Sequence, residues 1–430
     1  MTEDALPKEF ASRMRAQLGD EYPRYLAALA ETPARSLRVN TRKVTAERFI
    51  DLLGFQPKPN GMLPEGFLMP EGFSPARDPL HRAGLYYMQE PSAQAPVPML
   101  NVQPGDAVLD LCAAPGGKAG QIAAALSGTG VLVANEIIPE RASVLLENLV
   151  RLGVTNAVVT NMQPDALCQR LTGCFDRVLV DAPCSGEGMF RREPAAVAAW
   201  SAEHVLSCAA RQKLILESAA KALRGGGTLV YSTCTFSEEE NEGVVQHFLQ
   251  AHPEFSLEGM RRLYPHTSAG EGQFMARLQK CDTGRARLVS VKPEPCSAFT
   301  AFCGEQLASV PAGAVRVLPD GRVLLLPEKL PLCWERLRIR RAGVLAGEVR
   351  GGRLMPDHAL FLALPASAFL QRVPLGGELL ARYLAGETVP VRAGLRGYAA
   401  VTVSGYPIGF GKAGGGTLKN HYPKAPRVQR

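Results

Sequence analysis

The chain has no run of about 18 apolar residues, so nothing in it reads as a membrane span. Its first residues, MTEDALPKEFASRMRAQ, alternate charge with apolar side chains and lack the apolar core of a secretory signal. None of the ten cysteines forms a C-x-x-C pair, and no Cys/His clusters have zinc spacing, which argues against a structural metal site. The phosphate-binding pattern G-x-x-x-x-G-K-[ST] fails, because Cys112 stands where Gly is needed and Ala119 where Ser or Thr is needed. The dinucleotide fingerprint fails as well, since Gly116 and Gly117 are adjacent rather than spaced. No internal repeat or low-complexity tract is present. These absences point to a folded cytoplasmic protein with reduced thiols, most of them packing residues. The question is which of the ten are not.

What is present is the composition of a folded protein, 46% hydrophobic and 21% charged, in 430 residues. That length exceeds one ordinary core, so two or three domains are expected. The net charge of +7 is uneven. Residues 1–95 carry 12 basic and 12 acidic groups, residues 96–280 carry 15 and 19, and residues 281–430 carry 21 and 10. A slightly acidic middle with a basic C-terminal part suggests chemistry in one region and a grip on a polyanion in another.

The texture changes along the chain. Residues 1–95 mix short helical patterns with Pro/Gly breaks and form an N-terminal extension. From residue 96 to 280 strand and helix signals alternate, as in a parallel-sheet α/β domain. Strands are predicted at Ala107–Leu111, Val131–Asn135, Ala157–Thr160, Val178–Asp181 and Thr228–Tyr231. A helix is predicted over Pro139–Leu152, with Ala142, Leu145, Leu146, Leu149 and Leu152 on one face. Residues 281–311 read as a linker or small subdomain, and residues 312–430 as a basic region of short strands.

Two constellations carry chemistry. The first strand runs into Cys112-Ala113-Ala114-Pro115-Gly116-Gly117-Lys118 and then a helix, the strand–glycine turn–helix that opens a Rossmann-like sheet. Glu136 ends the second strand, where such folds place a carboxylate for ribose hydroxyls. A nucleoside cofactor is expected there. The fourth strand ends in Asp181-Ala182-Pro183-Cys184-Ser185-Gly186 and the fifth in Ser232-Thr233-Cys234-Thr235. Ligands of open parallel sheets bind beyond the carboxyl ends of the strands, so two thiols and a carboxylate should converge beside the cofactor.

The segments LCAAPGGK, LVDAPCSGEGMF and LVYSTCTFSEEENE resemble the signatures of the Sun-type (NOL/NOP/Sun) RNA cytosine-5 methyltransferases. The similarity extends to LRVNTRK, AGLYYMQEPSA and the ending GYPIGFGKAGGGTLKNHYPKAPR, which look like the RsmF branch acting on bacterial 16S ribosomal RNA. The resemblance implies a class I S-adenosylmethionine-dependent methyltransferase domain, an RNA-binding N-terminal extension and a C-terminal PUA-like α+β module. It implies that Cys234 is the covalent nucleophile, that Asp181 bonds the cytosine edge, and that Cys184 promotes release. It also implies that Cys112 to Lys118, Glu136 and Asp181 surround S-adenosylmethionine. Where relatives often carry Asp near the adenine, spacing places Gln163, with Asp165 two residues on. A monomer bound to 16S ribosomal RNA or the small subunit, and to no membrane, is the expected state.

DNA cytosine-5 enzymes use the fourth-strand cysteine, which makes Cys184 the rival nucleophile, but their Glu-Asn-Val motif is absent. A noncatalytic RNA-binding protein would not need the two thiols. An amino-group methyltransferase would carry Asp/Asn-Pro-Pro-aromatic in place of Asp181-Ala182-Pro183-Cys184. Transfer RNA is the alternative substrate. Ser237-x-x-Glu240 is a capping box, expected to be structural. In Gly186–Arg192, Phe190 could stack on a nucleotide or pack at a helix start. Lys412, Lys419, Lys424, Arg427 and Arg430, interleaved with Phe410 and Tyr422, suggest an RNA-contacting tail.

Overall fold

The computed structural model describes residues 1–424. Its centre is an eight-stranded sheet. In chain order the strands are β1 (Ala107–Asp110), β2 (Val131–Asn135), β3 (Ala157–Thr160), β4 (Phe175–Asp181), β5 (Leu223–Thr233), β6 (Phe255–Leu263), β7 (Gln273–Lys280) and β8 (Ile339–Ala342). Across the sheet they lie in the order β6-β7-β5-β4-β1-β2-β3-β8. Strands β1 to β5 run parallel, while β6, β7 and β8 pair antiparallel. Helices α1 (Gly117–Ala125), α2 (Pro139–Arg151), α3 (Pro164–Arg170), α4 (Ala202–Ala222) and α5 (Glu242–Ala251) cover it. Burial of both faces explains why these strands read as continuous apolar runs. Along β1, Ala107 and Leu109 enter one core and Val108 the other.

The expected strand positions hold, with moved ends. β1 stops at Asp110, β4 begins at Phe175, and β5 spans Leu223–Thr233. α2 ends at Arg151 with Ala142, Leu145 and Leu149 buried, as its spacing requires. The unexpected strand is β8. It comes from the basic C-terminal region and adds four residues, Ile339-Arg340-Arg341-Ala342, to the β3 edge. A strand that short and that cationic carries no legible strand pattern, and its placement follows from covering an otherwise open edge.

The N-terminal region divides in two. Helices Lys8–Leu18 and Tyr22–Ala30 bury Phe10, Met14, Tyr25 and Leu29 against Phe190 and Phe236, residues of the loops after β4 and β5. Residues 36–88 hold a four-stranded sheet and the helix Ala46–Leu53, and their Leu37, Val39, Phe49 and Tyr86 share one core with Val401, Ile408, Leu418 and Tyr422 of the C-terminal module. That module holds a four-stranded antiparallel sheet within residues 314–356 and a five-stranded sheet within residues 372–420. The segment read as a linker contains helix Ser297–Gln306, whose Phe299 and Phe302 pack into the module.

The basic ending is a folded hairpin rather than a solvated tail. Lys412 and Lys419 face each other across strands Tyr406–Gly414 and Thr417–Asn420. Phe410, Leu418 and Tyr422 are core residues, so the aromatics interleaved with the cations are buried rather than offered to bases. Arg427 and Arg430 lie outside the described residues.

Candidate active site

β4 and β5 are neighbours, and the loops leaving their carboxyl ends bring the two thiols into contact, with Cys184 Sγ 3.3 Å from Cys234 Sγ. Both side chains are half-buried. The Cys184 thiol is held well above its usual pKa, first by its hydrogen bond to Cys234 and then by burial. Asp181, the last residue of β4, accepts from Ser232 Oγ at 2.7 Å and Gln273 Nε2 at 3.2 Å through one oxygen. Its other oxygen is 2.7 Å from Lys118 Nζ. Burial alone would lower the pKa of Lys118, but the charge and hydrogen bond of Asp181, joined by the nearby Cys234 and Asp110, together outweigh it and raise the value. The ammonium therefore stays charged.

Two glutamates that the sequence reading assigned no part in the site hold these loops. Glu240 is fully buried. It accepts from the Ser185 amide at 3.0 Å, from Ser185 Oγ at 2.5 Å and from Gln212 Nε2 at 2.8 Å. Burial raises its pKa, against the pull of those donors. The capping-box expectation is corrected accordingly. Ser237 Oγ does accept from the Glu240 amide, but α5 starts later, at Glu242, and the Glu240 carboxylate turns to the Cys184 loop instead. Glu187 accepts from the Phe236 amide at 3.0 Å, Trp200 Nε1 at 2.8 Å and Arg13 Nη2 at 2.5 Å. It thereby links both cysteine loops to the N-terminal helices. Gly188 completes the junction: its amide donates to Cys234 O at 2.8 Å, and a Cβ there would lie 2.8 Å from that same oxygen.

In the loop Gly186–Arg192 the aromatic side chain and both arginines have partners within the protein. Phe190 is fully buried, with its ring centroid 4.9 Å from that of Phe10. Arg191 and Arg192 are both committed to Glu271, at 2.6 and 2.8 Å. Of the two readings weighed for Phe190, packing is correct.

On the other side of Asp181 lies the glycine turn. Gly116 has φ +113°, a backbone state that favours glycine, and is the N-cap of α1. Cys112, Ala113, Ala114 and Pro115 form the turn, with Arg141 donating to Ala114 O and Asn148 to Pro115 O. The Cys112 thiol is pushed up by burial and then by Asp110, so it stays protonated. Glu136 accepts from the Ile138 amide at 2.9 Å and lies 3.4 Å from Arg141. Gln163 is exposed at the start of α3, with no side-chain hydrogen bond among the described residues, whereas Asp165 accepts only a long bond from Gln169.

Two features of this rim match a bound nucleoside that carries a cation. Asp110, at the end of β1, is fully buried, and neither carboxylate oxygen has a well-formed hydrogen bond among the described residues. Burial first, and the nearby Asp181 charge second, push its pKa up to about 8. Ile137 and Ile138, just past Glu136, are 45% and 41% exposed, an apolar surface without cover. An orphaned acid and an uncovered apolar edge beside a ribose-type carboxylate fit the amino-acid end and the base of an adenosyl cofactor.

The comparisons with known proteins meet this geometry. The family model described as 16S rRNA methyltransferase RsmB/F matches residues 97–279. Models for the N-terminal, first C-terminal and PUA domains of RsmF match residues 6–91, 301–364 and 371–428. Ribosomal RNA small subunit methyltransferase F of Klebsiella pneumoniae is 34% identical, over 97% of this chain and 96% of that protein.

The chain belongs to the RsmB/F family of 16S rRNA methyltransferases.

The enzyme of the same name from Vibrio cholerae is 32% identical over 98% of this chain and 97% of its own. A methyltransferase homolog protein from Pyrococcus horikoshii, 30% identical, covers 65% of the chain with a TM-score of 0.58. NSun6 from the same organism, at 24% identity and a TM-score of 0.58, shares the fold. As an RsmB/F-family member the chain is an S-adenosylmethionine-dependent RNA methyltransferase with a C-terminal PUA domain. Among the described residues, no helix is long and apolar enough to cross a membrane.

Proposed function

We propose that this enzyme methylates carbon 5 of cytosine in 16S ribosomal RNA through a covalent bond from Cys234. The observation that carries the reading is the contact of two thiols beside a carboxylate–ammonium pair at the cofactor rim. An amino-group methyltransferase has no use for such a pair, because an amine is already a nucleophile. Carbon 5 of cytosine is not, and it becomes one only when a nucleophile has added at carbon 6.

The residues divide the work. The Cys234 thiolate forms a bond to carbon 6, and the electrons of the 5,6 double bond move toward the ring nitrogen and carbonyl. Asp181 faces that edge of the base. With the Lys118 ammonium 2.7 Å away, its carboxyl relays a proton from that ammonium to the ring nitrogen, which neutralises the charge that develops there. S-Adenosylmethionine, when bound, supplies the electrophilic methyl that carbon 5 accepts. Cys184 then promotes loss of the proton on carbon 5 to solvent water. The bond from carbon 6 to sulfur breaks, Cys234 returns as thiolate, and the ring nitrogen gives back its proton. Asp110, Gly116, Lys118, Glu136 and Ile137 hold the cofactor, with Gln163, rather than the partnered Asp165, nearest in role to an adenine contact.

The substrate assignment draws on the relatives' names, which specify small-subunit ribosomal RNA. Bisulfite sequencing of ribosomal and transfer RNA from a deletion strain tests it. Loss of 5-methylcytosine at a 16S position is the expected result. Loss confined to transfer RNA, or none at all, contradicts it.

A further inference from the structure

We propose that Arg336, Arg338 and Arg340, on the C-terminal segment that joins the catalytic sheet, hold the phosphate backbone of the RNA at the cofactor edge of the site. The inference rests on the proposed RNA substrate and goes beyond it by naming the surface.

The placement comes from strand pairing. β8 runs antiparallel to β3, with Ile339 opposite Thr160 and Ala342 opposite Val158. The Asn161 amide donates to Arg338 O at 3.1 Å, and the Arg338 amide to Met162 Sδ at 3.3 Å. Arg338 therefore stands beside the segment Asn161–Gln163 that leaves the carboxyl end of β3. The register shifts between Ile339 and Arg341, making Arg340 the extra residue of a bulge, a device that re-aims a side chain at a sheet edge. Its guanidinium reaches Ser143 Oγ on α2 at 3.1 Å, two residues from Arg141 at the glycine turn. The alternation is clear: Leu337 is buried and Ile339 packs against the core, whereas Arg336, Arg338 and Arg340 are exposed.

Several cations of the same region are neutralised, and among the described residues these three are not. Arg316, Arg322 and Arg350 of the same region are ion-paired with Glu294 and Glu335, Asp320 and Glu348. No ion pair forms at Arg336, Arg338 or Arg340 among the described residues, and Glu335, the acid beside them in sequence, is taken by Arg316. Three cations this close repel one another, and a polyanion relieves the repulsion while releasing its own counterions. Five strand spacings of about 4.8 Å separate β5 from β8, so the row lies about 24 Å from the strand that carries Cys234. It can grip phosphates several nucleotides from the target base.

The test replaces all three arginines with glutamine and, separately, all three with lysine. Binding of each protein to 16S ribosomal RNA transcribed in vitro is titrated over a range of salt. S-Adenosylmethionine affinity and the thermal midpoint are measured alongside. The glutamine variant should bind RNA more weakly, with a salt slope shallower by about 2, from about 0.7 per single-strand phosphate contact. The lysine variant should keep the wild-type slope, and both should keep cofactor affinity and midpoint. A folded glutamine variant with unchanged affinity and slope overturns the inference. So does a lysine variant that loses as much as the glutamine one, because the guanidinium would then act structurally. A loss seen only in Lys419→Gln with Lys424→Gln moves the grip to the C-terminal hairpin and also overturns it. The wild-type methylation product is read in parallel: no 5-methylcytosine there defeats the proposed reaction, whatever the titrations give.

Discussion

The two halves of the site rim are built differently. Around β4 and β5 two buried carboxylates tie the loops together: Glu187 and Glu240 each accept three hydrogen bonds, and the N-terminal helices brace both loops. Around β1 and β2, Asp110 has no well-formed hydrogen bond among the described residues, and Ile137 and Ile138 are uncovered. The thiol side is fixed before substrate arrives, as positioning of a covalent nucleophile requires. The cofactor side is left to be completed by its ligand. Mutations on the two sides should therefore fail in different ways.

The largest effect is expected at Cys234. Cys234→Ala should lose methylation entirely, with cofactor affinity within about twofold of wild type by calorimetry. Ordinary turnover by this variant would break the account of the thiol side. Cys184→Ala should attack its natural RNA yet release it slowly, leaving a protein–RNA band that survives denaturing gels. If that band appears only in Cys234→Ala, the roles are reversed.

Glu240→Gln is a smaller and more pointed test. It keeps the side chain's shape but replaces one acceptor oxygen with a donor facing Ser185, so the Cys184 loop should shift. A charge-assisted hydrogen bond contributes about 1.5–3 kcal/mol. Turnover should fall roughly tenfold with cofactor affinity unchanged. An unaffected turnover number would show that the Cys184 loop does not depend on this carboxylate.

The smallest effect lies on the cofactor side. Asp110, with its pKa raised to about 8, is mostly protonated at pH 7 in the free enzyme. A bound cation favours its ionised form, so cofactor binding at pH 7 should release up to one proton and strengthen as pH rises toward 8. Calorimetry in buffers of different ionisation enthalpy measures the release. The sign for stability is opposite. The folded chain holds this proton between the ordinary Asp value near 4 and about 8, so stability from this group falls with rising pH across that window. Asp110→Asn should remove both dependences. Proton release that persists in Asp110→Asn assigns it to another group.

Much of this contrast was legible in the chain. The five parallel strands and α2 declare themselves through apolar runs and a 3.6-residue period, and Cys112–Lys118, Asp181, Cys184 and Cys234 stand at strand ends that topology must bring to one rim. What stayed hidden depends on contacts between distant segments. Glu240 sits among other carboxylates and Glu187 between two glycines, both in exposed-looking loops, and only folding shows that Arg13, Ser185 and Gln212 surround them. Asp110 reads as the last residue of a strand, with nothing local to signal its isolation. β8 is four residues with two arginines, stable only because β3 offers an edge. Phe190 looks exposed in its loop until Phe10 arrives from the N-terminus, far away in sequence.

The most direct measurement uses RNA in which 5-fluorocytosine replaces cytosine, so that fluorine stands where a proton must leave and the covalent intermediate cannot collapse. Wild-type enzyme and Cys184→Ala are incubated with it and S-adenosylmethionine, digested, and the peptide carrying the nucleotide is identified by mass spectrometry. The modified residue should be Cys234 in both. A nucleotide attached to Cys184 in the wild type, or an adduct formed by Cys234→Ala, would contradict the assignment.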